Sequence, residues 1–431
     1  MKIAIVGYDR EGRVSYEYYS ALGASITVCD LNPKIDVPDG LKSQLGPNYL
    51  KNLDQFDLII RTPGLKPRDI LAENPTVADK IWTGTNEFLR VCPTKNIIGV
   101  TGTKGKGTTS TLISKMLQAS GKKVHLGGNI GLPALKLLPN IKKGDWVVLE
   151  LSSFQLIDIK YSPHIAVCLL VVPEHLDWHT DLNEYLDAKS NLFKHQHIND
   201  IAIYYSKSDN SKKIASVSDA PKLSYYDPPG AYVKNNEIII DDKIICKTSE
   251  IKLLGEHNWQ NICSAVTAVW QVTQDISAIK SVITTFSGLE HRLEFVKEVN
   301  KVKYYDDSFG TTPETAIVAI KAFDNPKVII LGGSNKGADY YELAKTIKNS
   351  NVCKVLLIGD QGPRIKQSLD SVGFSNYEYS GNTMAEIVNQ AKNYTKPGDV
   401  VLLSTACASF DMFKDYKDRG EQFISAVKNL I

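Results

Sequence analysis

Short apolar runs recur along the chain and alternate with longer segments of helical periodicity. The runs KIAIVG (2–7), SITVCD (25–30) and FDLIIRTPG (56–64) predict the first strands, and helical patterns fill the gaps between them. Alternation of this kind indicates helices packed on mainly parallel sheets. The sequence therefore predicts an α/β protein.

The strand series divides into three parts. With 431 residues the chain is long enough for two or three domains. One series ends near Cys92, a second starts at NIIGVTG (96–102), and a third begins near Arg292. Short β-type segments between about 215 and 253 suggest an antiparallel edge or a small inserted sheet. We expect an N-terminal Rossmann-like nucleotide-binding domain over 1–92, a central P-loop ATPase-type α/β domain over 93–290, and a C-terminal Rossmann-like α/β domain over 291–431.

The composition narrows the class of protein. A net charge of +2 gives no general attraction to nucleic acid or to an acidic membrane. Apolar runs such as IAVCLLVV (165–172) have strand length, so neither a membrane span nor a signal peptide is expected. The seven cysteines are scattered without a C-x-x-C pair, which favours buried free thiols in a reducing cytoplasm. We expect a cytoplasmic monomer with small-molecule partners.

The segment GVTGTKGKGTTSTL (99–112) follows an apolar strand and opens a helix. Its glycines let the backbone approach oxyanions, the helix N-terminus supplies unpaired N–H donors, and Lys106 adds a positive charge. A tight strand-to-helix turn with a surface lysine is the structural alternative. ATP is the leading ligand, although the loop by itself does not exclude GTP. The residues expected around the phosphates are Gly102, Thr103, Lys104, Gly105, Lys106, Gly107, Thr108 and Thr109.

Gly107 is unusual in such a loop. The G-K-[ST] pattern has a hydroxyl directly after its lysine, where it helps to hold Mg²⁺, whereas glycine stands there in this chain. The hydroxyls begin one residue later. Thr108 is therefore the predicted metal or phosphate contact, and Thr109 is the second candidate.

Further polar residues follow the next predicted strands. Glu150 ends the strand DWVVLE, and the carboxyl ends of strands are where α/β sheets bind ligands. PEHLDWH (173–179) follows a buried strand and offers two histidines and two carboxylates for metal binding or acid–base chemistry. Lys189 comes fourteen residues after His175, on the predicted helix LNEYLDAKSNLF. Taken singly, Glu150 could be a solvated carboxylate and Lys189 a surface residue.

An ordered set of motifs resembles the Mur ligase superfamily, and most specifically its D-glutamate-adding branch. These enzymes form amide bonds at the expense of ATP and build the stem peptide of peptidoglycan. The resemblance covers nearly the whole chain. The matching pieces are TGTKGKGTT, GGNIGLPAL (127–135), ELSSFQL (150–156), EHLDWH (174–179), AK (188–189), GEHNWQN (255–261), HRLE (291–294), DDSFGTTP (306–313), GGSNKGADY (332–340) and STACASFDMFKDYKDRGEQF (404–423).

The resemblance implies roles around ATP and metal. Lys106 would bind the terminal phosphates, and Glu150 and His175 would each hold one of two Mg²⁺ ions. Lys189 would carry a CO₂-derived carbamate that also binds metal. The implied catalytic residues are Lys106, His175 and Lys189, and the implied metal-binding residues are Thr108, Glu150, His175 and Lys189. The ATP contacts implied outside the loop are Asn258, Asn261, Arg292 and Asp307.

The resemblance also implies two substrate sites. The D-glutamate carboxylates would contact Thr311, Lys336, Ser409 and Tyr416, the last in place of the usual phenylalanine. The N-terminal segment GYDREG lacks the middle glycine of G-x-G-x-x-G, because position 9 is Asp. The resemblance assigns this domain to the UDP part of a muramoyl substrate. The implied UDP-sugar contacts are Arg10, Glu11, Asp30, Thr62, Pro63, Gly64, Asn86, Asn129 and Ser152.

The implied reaction has two steps. The L-alanine carboxylate of UDP-N-acetylmuramoyl-L-alanine would attack the γ-phosphorus of ATP, and D-glutamate would then attack the resulting acyl phosphate. One departure from the pattern is Phe309, which stands where a lysine is common in the D-S-K-A-T version, so that a positive charge is missing.

Four other functions compete with this interpretation. A folylpolyglutamate synthase-like ligase would also have a G-K-G-[ST] loop, and a muramoyl ligase could add a different amino acid. A nucleotide-binding protein with a degraded site is disfavoured, because Lys106, Glu150, His175 and Lys189 are all present. An NAD-dependent oxidoreductase is suggested only by the first thirty residues, and the missing glycine argues against it.

Overall fold

The computed structural model describes residues 1–253, 255–335 and 338–430. The chain forms two compact units. The first unit contains Met1–Lys252 and Glu256–Phe286, and the second contains Leu253–Gly255 and Ser287–Ile431. The predicted division into three domains, over 1–92, 93–290 and 291–431, stays a prediction. The first of the two units contains two separate parallel sheets.

The N-terminal sheet is entirely parallel. Its strands are β1 (Lys2–Val6), β2 (Ser25–Asp30), β3 (Lys42–Leu45), β4 (Leu58–Arg61) and β5 (Ile81–Trp82). They lie in the order β3-β2-β1-β4-β5, as in doubly wound nucleotide-binding folds. Alternate residues of β1 pack into two different cores, one containing Ile3 and Ile5 and the other Ala4 and Val6. A strand buried on both faces is apolar throughout, which explains the unbroken run in the sequence.

The central sheet is also parallel and lies in the first unit. Its strands are β6 (Ile97–Thr101), β7 (Val124–Gly128), β8 (Trp146–Glu150), β9 (Ile165–Cys168), β10 (Ile201–Tyr205) and β11 (Lys222–Tyr225). They lie in the order β11-β10-β9-β6-β8-β7, so β6 is flanked by β8 and β9. A small antiparallel sheet follows in the chain, as the short β-type segments indicated. It consists of β12 (Tyr232–Lys234), β13 (Glu237–Ile240) and β14 (Lys243–Lys247).

The second unit contains a mixed sheet. Its strands are β15 (Glu294–Val299), β16 (Val302–Asp306), β17 (Lys327–Gly332), β18 (Val352–Ile358), β19 (Tyr377–Tyr379) and β20 (Val400–Leu403). The order is β15-β16-β20-β17-β18-β19, and β15 pairs antiparallel with β16 while the other pairs are parallel. Alternate residues of β17 enter two cores, one with Ile329 and Leu331 and one with Val328 and Ile330.

Most of the helices lie between successive strands in the chain. Those of the first unit are α1 (Arg10–Ala21), α2 (Pro67–Glu73), α3 (Gly84–Val91), α4 (Lys106–Ala119), α5 (Ala134–Leu137), α6 (Ser153–Leu156), α7 (Leu182–Lys194), α8 (Asp209–Ser216), α9 (His257–Trp270) and α10 (Ile276–Thr285). Those of the second unit are α11 (Pro313–Lys321), α12 (Tyr341–Lys348), α13 (Gly362–Ser371), α14 (Met384–Asn393) and α15 (Tyr416–Lys428).

The α/β fold class predicted from the sequence is confirmed. The cysteines are free thiols, and all are buried except the half-buried Cys353. In the ranges 1–253, 255–335 and 338–430, no helix has the length and apolar character needed to traverse a bilayer.

Candidate active site

The glycine-rich loop lies between β6 and α4, at the carboxyl edge of the central sheet. Gly105 caps the N-terminus of α4 in the left-handed region, with φ of 88°. A Cβ atom at Gly105 would overlap Oδ1 of Asn261, which lies on α9. The fold therefore brings Asn261 directly against the loop.

Two lysines converge on one carbonyl of this loop. The Nζ atom of Lys106 donates to the carbonyl oxygens of Gly102 (3.1 Å) and Thr103 (3.0 Å). Nζ of Lys189, on α7, donates to the same Gly102 oxygen at 2.9 Å. Lys189 is only 2% exposed. Burial, followed by the charge of Lys106, lowers the pKa of Lys189 to about 7.

Thr103 fixes the loop to the segment that follows β9. Its Oγ1 atom accepts a hydrogen bond from the Val172 amide at 3.0 Å and lies 2.8 Å from the Tyr185 hydroxyl. The Tyr185 ring centroid is 4.5 Å from Nζ of Lys189. Thr103 and Tyr185 thus hold the loop and the buried lysine in a fixed relation.

Glu150 and Asn129 are hydrogen-bonded partners. Glu150 is the last residue of β8 and is 6% exposed. Its Oε1 atom accepts from Nδ2 of Asn129 at 2.7 Å, and Asn129 directly follows β7. A candidate metal ligand and a candidate substrate residue therefore meet at the carboxyl edge of the sheet.

His175 lies in a constrained turn with φ of 57°. Its ring centroid is 4.8 Å from that of Phe154, and burial lowers the pKa of its imidazole. A lowered pKa favours the neutral imidazole, which is the form that binds metal ions. The preceding Glu174 lies 2.5 Å from Nζ of Lys104 in the glycine-rich loop and 3.7 Å from Nε2 of His175.

The two candidate hydroxyls of α4 differ in exposure. Thr108 is half-buried in the first turn. Thr109 is fully buried, and its Oγ1 atom has no hydrogen-bond partner within the described part of the chain. Thr108 remains the predicted contact, with Gly107 beside it buried in the helix.

Three predicted metal-binding residues near the loop offer donor types that divalent cations bind. Glu150 offers a buried carboxylate, His175 an imidazole whose pKa is lowered by burial, and Thr108 a hydroxyl. Oxygen donors are what Mg²⁺ prefers. A separate group of potential ligands in the second unit, formed by His291, Glu294 and Asp306, has its atoms within 4.8 Å of one another. Those atoms already bond to each other or to backbone, with His291 Nδ1 2.7 Å from Asp306.

Several candidate UDP-sugar residues lie at the carboxyl edge of the N-terminal sheet. Asp30 accepts hydrogen bonds from the amides of Tyr8 (2.7 Å) and Asn32 (2.8 Å). The Thr62 amide donates to the Val6 carbonyl at 3.0 Å. This places Thr62, Pro63 and Gly64 beyond β4, on the same edge as Arg10 and Glu11 at the start of α1.

Gln155 links two of these candidates across the first unit. Its Nε2 atom donates to Glu11 at 2.9 Å, and its Oε1 atom accepts from the Ser152 amide at 3.0 Å. Burial raises the pKa of Glu11. Ser152 and Glu11 are therefore brought together, and Gln155 is a residue that sequence reasoning missed.

Asn86 has a packing role in this structure. It is buried, its Nδ2 atom donates to the Asp158 carbonyl at 3.0 Å, and its Oδ1 atom accepts from the Lys160 amide at 2.7 Å. Both ends of the side chain are therefore used to hold the loop after α6. This arrangement favours a structural role for Asn86 over the direct UDP contact expected from the sequence.

Arg292 and Asp307, two predicted ATP contacts, lie close together in the second unit. Asp307 is 5% exposed, and burial raises its carboxyl pKa to about 7. It accepts from the Ser404 hydroxyl at 2.6 Å and from the Leu293 amide at 3.2 Å. The Leu293 contact brings the exposed Arg292 next to Asp307.

Phe309 forms an exposed aromatic surface between two candidate residues. The guanidinium of Arg292 lies 5.6 Å from its ring centroid, and the Tyr416 ring centroid lies 5.2 Å away. An aromatic ring thus occupies the position where the D-S-K-A-T version has a lysine, and it contacts Arg292 by a cation–π interaction, whereas a lysine there would repel Arg292. Thr311 is half-buried and Ser409 is buried, whereas Lys336 lies outside the described residues.

Two protein-family models together match most of the chain. Residues 100–269 match the Mur ligase middle domain, and residues 291–407 match the Mur ligase glutamate ligase domain. The UDP-N-acetylmuramoylalanine–D-glutamate ligase of Clostridium tetani is 36% identical, over 100% of this chain and 97% of that protein. The enzyme of the same name from Clostridium novyi is 34% identical, over 100% and 97%. The chain belongs to the Mur ligase family.

Solved structures of Mur ligases share this fold. The Thermotoga maritima UDP-N-acetylmuramate-alanine ligase MurC has a TM-score of 0.58 at 17% identity, with 99% of both chains covered. The Acinetobacter baumannii UDP-N-acetylmuramoylalanyl-D-glutamyl-2,6-diaminopimelate–D-alanyl-D-alanyl ligase has a TM-score of 0.60 at 14% identity, with 99% of this chain and 93% of that one covered. At these identities the likeness concerns the fold alone.

Arg419 is a further residue of this Mur ligase that sequence reasoning missed. It is fully buried on α15 and donates to the Ser308 hydroxyl and carbonyl, both at 2.8 Å, and to the Cys407 carbonyl at 3.1 Å. Ser308 in turn donates to the Tyr416 carbonyl at 2.7 Å. The only sequence signal was the position of Arg419 inside the matched segment 404–423.

Proposed function

We propose that this chain is an ATP-dependent ligase that adds D-glutamate to UDP-N-acetylmuramoyl-L-alanine in the cytoplasmic synthesis of peptidoglycan precursors. The observation that carries this proposal is the buried Lys189 at a phosphate loop, in a chain whose full-length relatives bear the name of that enzyme. Those names also favour D-glutamate over folate chemistry or another amino acid.

The phosphate loop would bind and orient ATP. The N-terminus of α4 and the amide groups of Gly102–Lys106 would bind the β- and γ-phosphates. Lys106, whose Nζ atom donates to two carbonyls of this loop, would exchange them for a phosphate oxygen. Mg²⁺ held by Glu150 and His175 would neutralise charge on the transferring phosphoryl group. The L-alanine carboxylate then attacks the γ-phosphorus, giving an acyl phosphate and ADP.

Lys189 is suited to carry the carbamate. Only a neutral amine adds to CO₂, and a pKa of about 7 leaves a large neutral fraction near neutral pH. As an ammonium, Lys189 would repel both a metal ion and Lys106. As a carbamate it would be an anionic oxygen donor beside the phosphate loop, where a metal ion is required.

The second step would join the amino acid. The amine of D-glutamate attacks the acyl phosphate carbonyl, and the tetrahedral intermediate expels phosphate. Thr311, Lys336, Ser409 and Tyr416 are the proposed contacts of the D-glutamate carboxylates. Asn129 and Ser152 would orient the muramoyl end of the acceptor, and Arg10, Glu11, Asp30 and the segment Thr62–Gly64 its UDP end.

Release of ADP by the purified protein tests this function. We expect release that depends on ATP, Mg²⁺ and UDP-N-acetylmuramoyl-L-alanine together and that D-glutamate stimulates most among a panel of amino acids. L-Glutamate and other D-amino acids are the matched controls. Stimulation by a folate with L-glutamate, or by another amino acid in place of D-glutamate, would contradict the proposed substrate.

A further inference from the structure

Hydrogen bonds join the proposed UDP-sugar loop to the segment that contains His175. The substrate loop is defined here as residues 62–68 and the histidine segment as residues 174–184. Nε1 of Trp178 donates to the Gly64 carbonyl at 3.0 Å, and Arg68 donates to the Trp178 carbonyl at 2.5 Å. Lys66 adds a longer bond to the Asp177 carbonyl at 3.4 Å.

Arg68 also anchors the far end of the histidine segment. Its Nη1 atom lies 3.2 and 3.1 Å from the two carboxylate oxygens of Glu184. Glu184 accepts from the Thr180 amide at 2.8 Å and lies 3.3 Å from Nδ1 of His179. One guanidinium therefore holds both the Trp178 backbone and the start of α7, the helix that contains Lys189.

Trp178 in turn contacts His175, directly and through Phe154. The amide of Trp178 donates to the His175 carbonyl at 3.1 Å. The Phe154 ring packs on both side chains, 4.6 Å from Trp178 and 4.8 Å from His175. His175 has a positive φ, which a non-glycine residue keeps only where its surroundings determine it. The contacts of Trp178 are such surroundings.

We propose that Arg68 and Trp178 are positioning residues that couple binding of the UDP-sugar at the substrate loop to binding of MgATP at His175. This coupling rests on the proposed function. A ligand that orders the substrate loop also orders the histidine segment, because both are held by the same two side chains. The second ligand then binds to a segment that is already ordered, and each ligand tightens the binding of the other by the same factor.

A binding cycle measures this factor directly. The dissociation constant of UDP-N-acetylmuramoyl-L-alanine is determined by calorimetry with and without saturating MgADP, in the absence of D-glutamate. We expect a coupling factor of about fivefold or more for the unmodified protein. Arg68→Gln removes the guanidinium, and Trp178→Phe removes the N–H donor but keeps a ring against Phe154. Both variants are expected to reduce the factor to less than about twofold.

Matched variants separate coupling from general damage. Arg90→Gln removes a forked pair with Glu87 in the N-terminal part, and Trp82→Phe removes an indole bond to the same Glu87. Both controls are expected to keep the coupling factor. If Arg68 and Trp178 have a purely structural role, their variants will bind each ligand alone more weakly but keep the coupling factor unchanged. That result would overturn the proposed coupling. An unmodified protein that binds both ligands without any coupling would also overturn it.

The same experiments distinguish failure of the proposed function from failure of the coupling. If the proposed function fails, the unmodified protein would neither bind UDP-N-acetylmuramoyl-L-alanine nor release ADP with it. Loss of coupling in the two variants, with turnover intact in the unmodified protein, supports both statements. Intact turnover with unchanged coupling in both variants refutes only the role of Arg68 and Trp178.

Discussion

At the scale of single residues, the burial of Lys189 lowers the pKa of its amine and so bears directly on the proposed chemistry. Its surroundings disfavour a cation, because the side chain is 2% exposed and Lys106 shares its carbonyl partner. We predict that Lys189→Ala lowers ADP release by about 100-fold or more, since a metal-binding group is lost. Short carboxylates such as formate or acetate should restore part of the rate, because they fit the space left by the side chain. The measurement is initial ADP release with all substrates present.

The same hypothesis fixes a pH dependence. The pKa of Lys189 is lowered to about 7 from 10.5, so the neutral amine becomes the major form as the pH rises above about 7. In CO₂-depleted buffer, added bicarbonate should therefore restore activity of the unmodified protein more fully at pH 8 than at pH 6. Lys194→Ala, at the exposed end of the same helix, is the control and should behave like the unmodified protein. Activity of Lys189→Ala at the unmodified level would exclude the carbamate.

The sequence indicated the charged residues of the candidate site but not the residues that hold them in place. Lys106, Glu150 and Lys189 could be singled out because they occur in motifs that match a family in order. Gln155, Tyr185 and Arg419 act through contacts with residues distant in the chain, and neither periodicity nor local composition encodes such contacts. Asn86 stays a predicted UDP-sugar contact, although both ends of its amide are used in packing.

At the scale of elements, the loop between β6 and α4 requires glycine at position 105 for two separate reasons. Its backbone has a positive φ, and Asn261 occupies the space that a Cβ would need. We predict that Gly105→Ala weakens ATP binding by about tenfold or more, because either the loop or Asn261 must move away from the phosphates. Titration of the protein with a fluorescent ATP analogue measures this effect.

Gly121 provides a control near the other end of the same helix. Its φ is 79°, close to the 88° of Gly105, but a Cβ there would meet no atom within 4 Å. Gly121→Ala therefore introduces the same backbone strain without the overlap, and should lower stability by about 1 kcal/mol while ATP binding is kept. Equal loss of ATP binding in both variants would show that backbone strain alone, and not Asn261, explains the glycine.

The ends of strands and helices are predicted less well from the local sequence when contacts distant in the chain decide them. The apolar run at 165–172 has the length of one long strand, yet β9 ends at Cys168. The rest of the run leaves the sheet because the glycine-rich loop binds it. The Thr103 amide donates to the Leu170 carbonyl at 2.8 Å, and the Thr103 hydroxyl accepts from the Val172 amide. The helix predicted at 182–193 matches α7 closely, since Asp181 caps its N-terminus by accepting from the Glu184 amide.

At the scale of the whole molecule, the α/β class followed from the alternation of strands and helices, but the strand order did not. The last strand of the chain, β20, lies between β16 and β17. Similarly, β6 lies between β8 and β9 although β7 follows it in sequence. Both β6 and β20 are buried along their whole length, so their sequences are compatible with several neighbours. The pairing is decided by packing across the sheet, which a single sequence does not display.

One buried ion pair joins the N-terminal sheet to the loop after α6. Arg61, at the end of β4, is 1% exposed and donates to both carboxylate oxygens of Asp158, at 2.6 and 2.5 Å. It also donates to the carbonyls of Phe154 (2.9 Å) and Leu65 (3.1 Å). Because these contacts connect the two parallel sheets of the first unit, they should contribute to its unfolding as one cooperative body.

Asp158→Asn tests this connection, because it removes the carboxylate charge and leaves the Arg61 cation buried without a counterion. We predict a loss of about 2 kcal/mol in the free energy of unfolding of the first unit, below the full value for a wholly buried pair since Asp158 is 21% exposed. All five tryptophans lie in the first unit, so urea unfolding followed by tryptophan fluorescence reports on that unit alone. Asp36→Asn, which disrupts the exposed pair with Arg13, should change the free energy by less than about 0.5 kcal/mol. Equal effects of the two variants would mean that Arg61 is held by its carbonyl partners and that the ion pair does not stabilise the unit.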